Sequence, residues 1–61
     1  MNEWEIVKVD NGFETRLGTF SDYEKATAHF EWRKSVHANN PGTELVLLSV
    51  NKTIDKQHKV P

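Results

Sequence analysis

The dipeptide Asn11-Gly12 constrains this chain more than any other feature. It separates two runs, Trp4-Glu5-Ile6-Val7-Lys8-Val9 and Phe13-Glu14-Thr15-Arg16-Leu17-Gly18-Thr19, in which apolar and polar residues largely alternate. Asn and Gly both accept positive φ, which the tight turn of a two-residue hairpin demands. With Asn11-Gly12 as that turn, Ile6 pairs with Leu17, Val7 with Arg16 and Lys8 with Thr15. Trp4, Ile6, Phe13 and Leu17 then share one face, and Glu5, Val7, Val9, Glu14 and Arg16 share the other. A slip of one residue would mix the two sets, so turn and pattern specify the same register.

Ser21-Asp22-Tyr23-Glu24 has the spacing of a capping box, with Ser21 as the cap and Glu24 reaching back to it. A helix follows to about His37, ended by Asn39-Asn40-Pro41-Gly42. Glu44-Leu45-Val46-Leu47-Leu48-Ser49-Val50 supplies a third strand, with room to continue to Ile54. The sequence therefore predicts an α+β fold of ββαβ type. Its third strand lies antiparallel beside the first in a three-stranded sheet of order 2-1-3, with the helix on one face. From Asn51 onward the chain lacks aromatics and has only Ile54 and Val60 as large apolar residues. Such a segment buries too little to offset its ordering entropy. The expected organisation is one domain over residues 1–54 and a mobile basic tail over residues 55–61.

At 61 residues the chain is one domain, and a domain of that size buries only about 60% of its unfolded surface. That leaves no room for both a fold and a deep substrate cavity. Absence of cysteine removes disulfides, thiolate metal sites and a thiol nucleophile together. No apolar run nears the ~20 residues of a membrane span, and Met1-Asn2-Glu3-Trp4-Glu5 does not read as a signal peptide. A cytoplasmic protein is the expectation. The formal net charge is −1, with an acidic excess over residues 1–50 and a basic excess over residues 51–61.

Apolar surface is left over on two sides. Leu45-Val46-Leu47-Leu48 is apolar on both faces, the pattern of a strand covered twice, while the reverse of the hairpin still offers Val7 and Val9. On the helix, Tyr23, Ala26, Phe30, Arg33 and His37 form a core stripe, and Ala28, Trp32 and Val36 form a second one. Trp32 lies about 160° around the helix from Phe30. Trp and Arg dominate binding hot spots, so Trp32, Arg33 and Val36 on the helix, with Val7, Val9 and Arg16 on the open sheet face, are the candidate partner-binding residues. They point to a non-enzymatic protein-interaction module, with a second copy of the chain in a homodimer as one partner.

Catalytic patterns are missing. His29 and His37 are too far apart for a helical metal pair, His58 lies in the expected tail, and Ser21, Ser35 and Ser49 lack a nucleophile's glycine elbow. Asn11-Gly12 and Pro41-Gly42 lack the repeated glycines of a phosphate loop. No metal, cofactor or catalytic residue is therefore assigned. The alternative is a small nucleic-acid-binding domain, with Trp4, Phe13 and Phe20 as stacking surfaces and Arg16, Arg33, Lys34 and the tail on phosphates. Against it stands the acidic body, which lacks a basic stripe.

The chain also runs through Trp4, Gly18-Thr19-Phe20-Ser21, Tyr23-Glu24-Lys25-Ala26, Glu31-Trp32-Arg33, Asn40-Pro41-Gly42 and Glu44-Leu45-Val46 in that order. This succession over about residues 3–50 resembles the short ββαβ accessory proteins of bacteriophage and prophage genomes. Among them it is similar to the small phage inhibitors of bacterial RNA polymerase, which share the element order and a Glu-Trp near the helix end. Of the charged sheet residues that mark those inhibitors, only Arg16 has a counterpart here, so the resemblance carries no target. It implies a class: a small protein that binds a host or phage protein and alters its activity.

Overall fold

The computed structural model describes residues 3–60. Strand β1 (Trp4–Asp10) and strand β2 (Phe13–Phe20) form the expected hairpin. Asn11 and Gly12 take φ of 53° and 85°, the doubly left-handed turn that the dipeptide permits. Val7 faces Arg16 and Lys8 faces Thr15, as the turn dictates. Beyond Val7 the register changes: Ile6 faces Gly18 rather than Leu17, which occupies a bulge. Leu17 still packs against the core, because the bulge adds one residue without moving the apolar set to the other face.

Helix α1 (Tyr23–Val36) starts one residue later than the capping box implied. Asp22 is its cap, accepting from the Glu24 amide at 2.9 Å, so Asp22 rather than Ser21 satisfies the free donor. A short carboxylate also suits the positive end of the helix better than a hydroxyl. Past the helix, the His37 amide reaches the Arg33 carbonyl at 3.0 Å and Gly42 turns the chain with φ of 86°. Strand β3 (Thr43–Ser49) then pairs antiparallel with β1, with Ile6 opposite Leu47 and Val7 opposite Val46.

The three-stranded sheet is corrected to four. Residues 55–59, expected in the mobile tail, join Ile54, expected at the end of the third strand, in a separate strand β4 (Ile54–Lys59) along the far side of β3, giving order β2-β1-β3-β4. The reversal runs from Ser49 to Thr53, with Lys52 in the left-handed region at φ 64° and its amide on the Ser49 carbonyl at 2.9 Å. The backbone ladder continues past the strand, where Val60 and Thr43 are joined at 2.9 Å. Entropy was set against apolar burial alone, yet this segment is ordered by backbone pairing to β3. In a 2-1-3 sheet, the doubly apolar β3 would have been an edge.

Ile6, Leu45 and Leu47 on one sheet face meet Ala26 and Phe30 of α1 in a single buried cluster, with Trp4, Leu17 and Phe20 packed against it. Phe13 projects to the same face but is 80% exposed at the hairpin tip, so it is not part of the helix's bed. Each outer strand carries one bulge, and both lie beside the Ile6–Leu47 row. Irregular edges of this kind discourage sheet-to-sheet addition.

Candidate interaction surface

The exposed flank of α1 above β2 is built on helical spacing. His29, Trp32 and Arg33 stand three and four residues apart, so their side chains meet on one side of the helix. The Arg33 Nε donates to His29 Nε2 at 3.2 Å, and its guanidinium carbon lies 4.9 Å from the Trp32 ring centre. The His29 ring is 5.4 Å from Trp32 and 5.1 Å from Phe20, which anchors the cluster to the end of β2. Trp32 remains 55% exposed and Val36, one turn on, 48% exposed, whereas Arg33 is half-buried.

Trp32, Arg33 and Val36 thus share one flank of α1. Val7, Val9 and Arg16 lie on the opposite side of the sheet, so the six candidates form two separate groups. Val7 and Val46 are only 5% and 7% exposed although no helix covers them. Their row continues to Arg16 on one side and Gln57 on the other. Arg16 meets Glu5 at 3.4 Å, Lys52 meets Glu5 at 3.8 Å, and Gln57 hydrogen-bonds Glu44. Arg16 and Gln57, long side chains with apolar stems, thus flank the two valines across the ladder. Val9 is half-buried and Arg16 exposed. The open face therefore screens most of the grease that the sequence left over.

His29 and Phe20 were not among the candidate partner-binding residues, although His29 stands at i−3 and i−4 from Trp32 and Arg33.

Elsewhere, Tyr23 ties the helix start to β4 by donating to Asp55 Oδ2 at 2.7 Å, and this bond raises the Tyr23 pKa above its ordinary value. Glu31 is held below the usual carboxylate range by its hydrogen bond to Lys34, 2.9 Å away. His37 is pushed down, first by burial and then by Lys8 and Arg33, against the opposing pull of Asp10.

Among the described residues there is no pocket and no group of three His, Cys, Asp or Glu that could hold a metal ion. Among the described residues, no helix is long and apolar enough to cross a membrane. Comparison with known proteins adds nothing to this geometry. The chain matches no protein-family model, no curated protein and no solved structure.

Proposed function

We propose that this chain is a non-enzymatic protein-interaction module, of the kind that small phage accessory proteins represent, and that it modulates the protein it binds. The observation that carries the reading is Trp32: a large aromatic, more than half exposed, yet held by His29 and Arg33 on a rigid helix. Such a side chain contributes contact area with little further loss of freedom on binding, which is the property of a hot-spot anchor. Val36 extends the patch by one helical turn. The sheet-face candidates Val7 and Val9 drop to supporting roles, because Val7 is already buried and Val9 half-buried.

The test is binding of a captured bacterial protein to the wild type and to Trp32→Ala, measured by calorimetry after thermal melts of both. A melt within a few degrees of wild type together with lost binding supports the reading. Full retention of binding by Trp32→Ala removes it.

A further inference from the structure

Resting on that reading, we infer that Arg33 is a receptor for a single carboxylate that the partner protein carries beside an apolar side chain. Among the described residues, three other cations have carboxylates: Arg16 and Lys52 meet Glu5, and Lys34 meets Glu31. Arg33 has none among the described residues, although it is half-buried. Its Nε is taken by His29, and its guanidinium carbon lies over the Trp32 ring, 4.9 Å from the ring centre. The two terminal nitrogens remain, and their N–H groups form the fork that fits a carboxylate with two parallel bonds. Because the guanidinium is already held by His29 and Trp32, little ordering is left for the ligand to impose.

Charge around the helix agrees. At about 100° per residue, Lys25, His29, Trp32, Arg33 and Val36 fall on the β2 flank, and none of them is acidic. Glu24 and Glu31 fall on the other flank, where Glu31 also feels Lys56 and His58 of β4. The exposed Trp32 and Val36 beside Arg33 ask for an aliphatic or aromatic neighbour to the acid. A nucleic-acid backbone suits this flank less well. It presents a row of charges that calls for a row of cations, whereas Lys25 and Arg33 are the only ones here and the chain is net −1.

The experiment titrates the ¹⁵N-labelled full chain with a blocked Leu-Glu-Phe peptide, with its Leu-Gln-Phe counterpart, and with an oligothymidylate at low salt. The Glu peptide is expected to shift the Arg33 Nε and Trp32 Nε1 signals saturably, and the Gln peptide to bind at least about tenfold more weakly. Arg33→Lys keeps the charge but loses the fork. It should bring the Glu peptide down toward the Gln peptide while the circular dichroism spectrum stays unchanged. Equal binding of the two peptides through Trp32 overturns the carboxylate receptor and leaves the interaction module standing. Shifts that miss both Trp32 and Arg33, or tighter binding of the oligothymidylate at these residues, also overturn it.

Discussion

Val7 and Val46 face each other across the β1–β3 ladder and are both buried, on the side of the sheet that carries no helix. The protein thus has a thin second core, roofed by side chains rather than by an element of secondary structure. Val46→Ala removes two buried carbon groups, at about 0.8 kcal/mol each, and leaves a small cavity, so it should cost about 2 kcal/mol. Partner binding through α1 should be unchanged once the variant is folded. Chemical denaturation and the calorimetric binding assay read the two quantities separately.

Phe30 and Trp32 make the complementary comparison on one helix. Phe30 is buried among Ile6, Leu45 and Leu47, and truncating it to Ala should cost about 3–5 kcal/mol, enough to unfold a domain this small. Trp32→Ala should lose about 1 kcal/mol or less, because the ring packs only along its own flank. Thermal melts followed by far-ultraviolet circular dichroism distinguish the two. An unfolded Trp32→Ala would place the indole in the core.

The first hairpin was legible because turn chemistry and alternation point to the same register, and the pairing of Val7 and Lys8 followed from them. The bulge at Leu17 was not legible, since nothing in the sequence marks an extra residue there. Strand β4 was missed for a different reason. Its residues Asp55, Lys56, Gln57, His58 and Lys59 are polar throughout, and its turn uses Lys52, a non-glycine residue, at positive φ. The clue lay in its neighbour: Leu45-Val46-Leu47-Leu48 is apolar on both faces, and such a strand belongs inside a sheet. On the helix, the exposure of Trp32 and Val36 was legible from their angle to Phe30, whereas Arg33, assigned by the same angle to the core stripe, is only half-buried and lies beside Trp32. The role of His29 was not, because a histidine's partners depend on which neighbours reach it.

If β4 completes the sheet, removing residues 53–61 should expose β3 along its whole length. The truncated chain is expected to lose cooperative unfolding and to aggregate, because Leu47 and Leu48 would then border an unpaired edge. A milder test is Tyr23→Phe, which deletes the bond to Asp55. Amide exchange should quicken over Ile54–Lys59 and stay nearly unchanged in β1. Unaltered stability on truncation would show β4 to be dispensable.

His37 predicts a pH dependence. Its Nδ1 lies 3.2 Å from Asn40 Nδ2 and its Nε2 is buried with no partner, so a second ring proton has nowhere to bond. Burial, Lys8 and Arg33 disfavour the charged ring more than Asp10 favours it. The folded value therefore lies below the ordinary 6.5, and between the two values the unfolded chain binds the extra proton. Stability is fully present above pH 6.5 and falls as the pH drops through the folded value. Thermal melts from about pH 7.5 to about pH 5, the region in which histidine side chains titrate, should show this decline. His37→Gln should flatten it.

Gly18 offers a way to disturb the interaction flank without touching it. A Cβ at this position would meet the Phe20 ring at 3.1 and 3.3 Å, tight enough to displace the ring slightly. The backbone itself accepts alanine here, since only Gly12 and Gly42 among the glycines take positive φ. Gly18→Ala should therefore change stability by no more than about 1 kcal/mol, the backbone gain offsetting part of the strain. Yet Phe20 lies against His29, and His29 holds both Trp32 and Arg33. The expected result is a shifted Trp32 indole signal, a shifted Arg33 Nε signal and weaker partner binding at nearly constant melting temperature. Unmoved Trp32 and Arg33 signals would mean that the cluster is fixed by the helix alone, with Phe20 only a neighbour.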